Sequence, residues 1–443
     1  MVFSAIAFAA LGLSVPQDDL FKQGGIIVND KGAYTDYVRA AQLLEGSLAS
    51  TLIRFDSAEA IQQELARTKA SPVEDAWHRA PNIERLERAL KRIGNINAKP
   101  TRLQYDRAVV SDFGPVWNLI LRGNQKPLLA PRASMDSMTL FPEFASFRQL
   151  VKIAARKFRV ELADGNGAAA VRTLKESVRF SHRFGDDTII ARLVGVACEA
   201  ILHAEIEKNV HLLPEAGLTE LIAEIRHGYP AEPAIITAFQ GERIMLADAL
   251  KEIVSSPDPN LEPFRSDPDV ENDDEEDKEW NEMMTRVLSM SRAGKERFAQ
   301  NVQTRFTSRL QNQALLLRSP ERNWPLAPEK VVAQDDEDRF LKMMSIEFHS
   351  VFQAEARART QNRLAVLHLL ARRYQWHHGE APTALKDFAS SEDVIDPLTG
   401  NPFVMETAEG RLVFKSKGHP ILGEISYAKR AMPDPTGVRK RKP

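Results

Sequence analysis

A single cysteine in 443 residues rules out an intramolecular disulfide and any cysteine-built zinc cage. That residue, Cys198, ends the apolar run Leu193-Val194-Gly195-Val196-Ala197, where a small buried hydrophobe is expected rather than a nucleophile. Charge of one sign is lacking too. With 59 Lys and Arg against 61 Asp and Glu, no global field pulls the chain toward nucleic acid or an anionic surface. Aromatic residues make up only 7% of the chain, so Phe113, Trp77 and Trp117 are expected to fill packing gaps rather than form a binding platform. After the first fifteen residues no stretch is apolar enough to span a bilayer. The G-x-S-x-G elbow, the P-loop, the G-x-G-x-x-G turn and the H-E-x-x-H helix are all missing, so the sequence assigns no catalytic residue and no cofactor.

Metal-ligand spacing is equally thin, and no metal is assigned. Glu224-Ile225-Arg226-His227 is a lone Glu-x-x-His, whereas a di-iron bundle needs two such pairs facing each other. Asp267, Asp269 and Glu271 begin like a calcium loop, but Asn272 stands where the turn glycine belongs and Lys278 where the bidentate Glu belongs. His377, His378 and Glu380 fit the basic end of a helix. The best internal polar candidate is Glu199, His203 and Glu207, a ladder at four-residue steps on an otherwise apolar helix; a satisfied core histidine is its simpler reading.

What is present is helical period. Phe340, Met343, Met344, Val351 and Phe352, then Leu364, Leu367, Leu370, Ala371 and Tyr374, recur at three- and four-residue steps. The spacing predicts one helix of some forty residues from Asp335, about 60 Å long, with Glu355, Arg357, Arg359, Arg363 and Arg372 largely on the side opposite the stripe. A rod of that length needs other helices along its apolar stripe. Tyr34, Tyr37, Val38, Ala41, Leu44 and Leu48 share another helical face, and Ile83, Leu86, Leu90 and Ile93 a third, with Pro72, Pro81, Pro100, Pro115 and Pro127 cutting the region into short pieces. Phe147 to Leu162, Val171 to Val178, a helix capped by Thr188, Leu218 to Ile225 and Phe239 to Ile253 come next with four-residue turns, so they are expected to pack as antiparallel hairpins. The fold class is therefore mainly α: antiparallel helix hairpins with a small α+β hairpin module at the C-terminal end. By composition the chain divides into a signal-like segment (1–16), an N-terminal helical region (17–132), a hairpin region (133–255), an acidic linker (256–279), long helices including the spine (280–376), the small module (377–430) and a basic tail (431–443).

The small module carries most of the turn chemistry. Gly379 and Pro382 end the spine, Thr383 is placed to cap a short helical turn, and Asp396-Pro397 with Gly400-Asn401-Pro402 leads into strands at Phe403–Met405 and Leu412–Phe414. With Leu385, these residues resemble the end module of the major pseudopilins of type II secretion. Ala381 replaces that family's usual aromatic residue. Gly418-His419-Pro420-Ile421 stands where its calcium loop would come, and its long apolar N-terminal helix is missing. The hairpin opened by Phe147-Arg148-x-Leu150 and turned at Asp164-Gly165-Asn166-Gly167 is similar to a single tetratricopeptide unit, without a fixed repeat. The whole layout, with Tyr34, Tyr37 and Ala40, resembles a group of exported bacterial helical proteins that implies no activity.

The first fifteen residues, MVFSAIAFAALGLSV, have the apolar core of a secretory signal with Ala10-x-Gly12 as cleavage site, which implies export to the periplasm or outside the cell and no membrane span once removed. The sequence thus predicts an exported scaffold whose partner is a protein or another envelope macromolecule. Two other functions stay open: a helical hydrolase or metal-dependent enzyme assembled from distant residues, and a subunit of a secretion apparatus or filament.

Overall fold

Helices end where the sequence places glycine, proline or a capping side chain, and these stops set the architecture. The computed structural model describes residues 20–426 apart from 56, 71–75, 95–99, 130, 133–134, 136–138, 140, 184–187, 230–232, 256–274, 328–332, 345–347 and 409–410. Over these residues the chain is mainly α, with one three-stranded antiparallel sheet at its C-terminal end.

The first region holds α1 (Leu20–Gln23), α2 (Ala33–Glu45), α3 (Leu48–Phe55), α4 (Ala58–Ala70), α5 (Ala76–Ile93), α6 (Arg102–Val110) and α7 (Phe113–Asn124). Two sequence expectations shift here. The face from Tyr34 to Leu48 is divided at Gly46 between α2 and α3. Pro81 lies inside α5 instead of ending it, with its ring exposed. Pro115 sits in the first turn of α7, where its missing N–H has no partner to lose.

The hairpins are α8 (Glu143–Ala163), α9 (Gly167–Arg183), α10 (Ile189–Asn209) and α11 (Leu218–His227). Helices α8 and α9 pack on each other across Asp164-Gly165-Asn166, as the turn chemistry predicts. Thr188 caps α10 by accepting from the Ala191 N–H (3.1 Å), and Glu242 of the next helix accepts from the Ile189 N–H (3.1 Å). That next helix is α12 (Ile235–Ser255). Beyond 256–274, which with the calcium-like acids lies outside the described residues, α13 (Glu275–Ser289) begins five residues before the expected Trp280. Its acidic start suits a helix N-terminus. Helix α14 (Arg292–Leu317) packs along α12. Trp324, in the proline-rich connector, is buried against Phe352 and donates its indole N–H to the Ser319 carbonyl (2.9 Å).

The spine shows two helical stretches, and the continuity expected between them falls on 345–347, outside the described residues. The stretches are a nine-residue α15 (Asp336–Met344) and a 31-residue α16 (Phe348–His378). Of the five charged residues expected opposite the stripe, Arg357 is exposed and the other four are wholly or partly buried. Glu355 and Arg359 are buried, Arg363 donates to the Ile395 carbonyl (3.0 Å) and Arg372 to that of Leu213 (3.1 Å). The reason is position. Val366, Leu369 and Leu370 of α16 complete a first hydrophobic core whose other members lie between Leu20 and Ile225. Val351, Phe352, Leu364, Leu367 and Ala371 belong to a second core, built with α12 to α15, the connector and the sheet. A helix walled in on both sides has to satisfy its polar side chains internally.

In the terminal module Gly379 takes φ +76° directly after α16, and Gly400 takes φ +72° in the Asp-Pro turn. Pro382 is buried. The short turn at Leu385–Asp387 is capped in the opposite sense to expectation: Asp387 accepts from the N–H groups of Thr383 (3.2 Å) and Ala384 (2.8 Å), and Thr383 donates its hydroxyl. Asp396 organises the turn that leads into the sheet. Its carboxylate accepts from the Leu398 N–H (3.0 Å), the Thr399 hydroxyl (2.9 Å) and the Ser416 hydroxyl (2.8 Å), clipping turn and sheet together. Pro397 and Phe403 are buried, and exposed Pro402 bridges to Ile395. Strands β1 (Val404–Ala408) and β2 (Arg411–His419) form the expected hairpin, with Met405 opposite Phe414. A third strand, β3 (Gly423–Ser426), pairs with β2, so Gly418 and His419 end β2 and Pro420-Ile421-Leu422 makes the turn.

Candidate functional site

Where the two cores meet, α10 presents Arg192 and, two helical turns on, Glu199 toward α16, which answers with Glu355 and Arg359. Arg192 is fully buried. It forks onto Glu355 (Nε to Oε2 2.8 Å, Nη2 to Oε1 3.2 Å) and gives its remaining nitrogen to Glu199 Oε1 (3.1 Å). Arg359 donates to Glu321 of the connector (2.7 Å) and stands 3.9 Å from Glu355. Tyr229, just past α11, donates its hydroxyl to Glu199 Oε2, and its ring lies 5.2 Å from the guanidinium of Arg192 and 5.7 Å from that of Arg359. His182, near the end of α9, sets its ring edge-on to Tyr229 and its Nε2 3.6 Å from Glu199. A Cβ at position 228 would overlap that imidazole, so the approach requires Gly228. Neither His182 nitrogen has a hydrogen-bond partner among the described residues.

Burial and an uneven count of charges together set the electrostatics. Three carboxylates, Glu199, Glu321 and Glu355, face two guanidiniums, Arg192 and Arg359. Burial, together with the like charge of Glu355, pushes Glu199 up to about 7 against the pull of Arg192. Burial opposes the charge on Arg192, but Glu355 and Glu199 more than restore it and hold its pKa above the usual value. Burial, then Arg192, drives His182 well below the ordinary imidazole range, so it is neutral. Such a cluster can store one proton in a dry joint between helices.

Of the sequence candidates, only Glu199 enters this network. His203 is buried one turn further on and is lowered to about 4 by burial; Glu207 is half-buried beyond it. Glu224 pairs with Arg179 (Nε to Oε2 3.0 Å) while His227 is exposed, so that triplet is split. His377 lies 3.4 Å from Glu215, and His378 stacks on Tyr374 and caps its carbonyl (3.0 Å). Cys198 is buried, and burial pushes its thiol upward. Among the described residues no three His, Cys, Asp or Glu side chains are grouped to hold a metal. Sequence reasoning missed Arg192, His182, Tyr229, Glu355 and Arg359. The available signal was a lone arginine, seven residues before the first glutamate of an otherwise apolar helix.

Comparison with protein families, with curated proteins and with solved structures finds no match to this chain.

Proposed function

We propose that this chain is a non-enzymatic scaffold, exported from the cytoplasm, whose helical body presents a surface to another macromolecule of the cell envelope. The observation that carries the reading is the closure of the cluster around Arg192. Arg192, Glu199 and Glu355 are no more than 2% exposed and are turned on one another, whereas catalysis needs a titrating group within reach of a substrate. Leu315 and Leu316, adjacent and exposed at the end of α14, and half-exposed Trp376 near the end of α16 supply apolar surface of the kind partners cover. The signal-like first fifteen residues support export, and no helix among the described residues is long and apolar enough to cross a membrane.

A second reading, a hydrolase centred on Glu199 and His182, draws support from the two unbonded His182 nitrogens beside a proton-holding carboxyl. One experiment separates the two. The parent and the isosteric Glu199→Gln variant are incubated with chromogenic esters, phosphoesters, glycosides and amides, and each is crosslinked in the envelope fraction of its own host. The scaffold reading expects no turnover by either protein and the same crosslinked neighbour for both, lost in Leu315→Asp/Leu316→Asp. Turnover by the parent that vanishes in Glu199→Gln would sink it.

A further inference from the structure

Asn166-Gly167 is the one Asn-Gly pair in the chain, and it lies in the turn between α8 and α9. The fold fixes the backbone on both sides of it. Gly165 takes φ +78° and donates its N–H to the Leu162 carbonyl (3.1 Å), and the Asn166 N–H reaches back to the Glu161 carbonyl (2.8 Å), so α8 closes in a Schellman turn. The Asn166 carbonyl then accepts from the Ala170 N–H (3.0 Å) and starts α9. Packing demands glycine at 167, because a Cβ there would stand 2.9 Å from the Pro214 ring.

That demand leaves the pair chemically open. Asn166 is exposed, and among the described residues its side-chain amide has no hydrogen-bond partner and the Gly167 N–H no acceptor. A side chain on the following residue ordinarily hinders a backbone nitrogen from attacking an asparagine amide, and glycine has none.

We propose that Asn166 is a self-modification site, converted in the folded protein to isoaspartate and aspartate. The Gly167 nitrogen gives up its proton to water, bonds to the Asn166 Cγ and expels the amide nitrogen as ammonia, which leaves a cyclic imide. Water then opens the ring at either carbonyl, with no oxidation or reduction. Opening at the side-chain carbonyl restores the main chain and puts a carboxylate at the start of α9, where the free N–H groups favour it. Opening at the main-chain carbonyl gives isoaspartate, which routes the backbone through the extra methylene between the Schellman turn and the first bond of α9. The turn thus works as a clock: the molecule ages at a hairpin whose Phe158, Val171 and Leu174 belong to the first core. The inference holds whether the protein is a scaffold or an enzyme.

The test incubates the folded full chain, its Asn166→Ser variant and a synthetic peptide of residues 160–172 in neutral and in mildly alkaline buffer. The tryptic peptide Val160–Arg172 is then read by mass spectrometry, with fragmentation to separate residue 166 from Asp164, whose own isomerisation leaves the mass unchanged. The amide-to-acid gain in mass should appear at residue 166 of the parent, faster at the higher pH and slower than in the free peptide, and be missing from Asn166→Ser. Aged parent enriched in isoaspartate should melt a few degrees below fresh parent, whereas Asn166→Asp, which carries only the ordinary product, should melt no lower. A parent unmodified at residue 166 once the free peptide is fully converted would overturn the proposal, as would a mass gain confined to urea-unfolded parent. Isoaspartate-rich protein that melts like fresh parent would overturn the clock.

Discussion

Helix α10 carries two buried ion clusters, and their contrast shows how the count of charges adds to burial inside a protein. Toward α16 it offers Arg192 and Glu199. Toward α8 it offers Glu205, which accepts from Arg159 (2.6 Å); Arg159 also grips both oxygens of Asp106 (2.7 and 2.9 Å), and Arg156 adds a further bond to Asp106 (2.8 Å). There two carboxylates meet three guanidiniums, since Arg102 also stands 3.7 Å from Asp106. In the cluster at α16 three carboxylates meet two, and the surplus acid is the one raised to about 7. Burial is the larger cause of that rise, and the like charge of Glu355 adds to it against the pull of Arg192.

The largest way to break this comparison is Arg192→Ala. It strips Glu199 and Glu355 of their shared partner and should destabilise the fold by about 3–5 kcal/mol in urea unfolding. Arg156→Ala leaves Arg159 on both oxygens of Asp106 and should cost only about 1–2 kcal/mol. Equal losses would show that parity is irrelevant.

The next effect is the pH dependence. The Glu199 carboxyl is raised from 4.5 to about 7 on folding, so the folded state holds its proton more tightly than the unfolded chain. The associated stability is fully present below pH 4.5 and is lost as pH rises through 7. At about 1.4 kcal/mol per unit the loss is on the order of 3 kcal/mol. Glu242, raised to about 7 by burial, acts in the same direction. Unfolding free energies measured between pH 4.5 and 8 should therefore flatten partly in Glu199→Gln and further in Glu199→Gln/Glu242→Gln. A parent curve that rises with pH across that range would contradict the assignment.

Smaller again is Ser416→Ala in the terminal module. It removes one of the three described bonds to the Asp396 side chain and should cost about 1 kcal/mol, read as a lower thermal midpoint. Smallest is Glu207→Gln, expected within about 0.5 kcal/mol of the parent because this half-buried residue stands outside the cluster. A larger effect would restore the ladder of Glu199, His203 and Glu207 as a unit.

What the sequence made legible was local. The hairpin α8–α9, the Thr188 cap, the stop at Gly379 and the Asp396 turn each rest on a period or a turn residue within a few positions. Strand β3 was missed because Gly423–Ser426 is short and gains its identity from β2. The cluster was missed for a stronger reason. Arg192 and Glu355 are 163 positions apart, and no local pattern tells a charged residue in a helix that its partner waits in the other half of the fold. Glu355 and Arg359 looked like an outward i, i+4 pair because the sequence does not show that α16 is enclosed.

That enclosure bears on how the polypeptide matures. Val366, Leu369 and Leu370 close a nucleus whose other members all lie before residue 226, so a nascent chain leaving the ribosome exposes the unfinished first half for well over a hundred further residues. Chaperones have that interval in which to hold the chain.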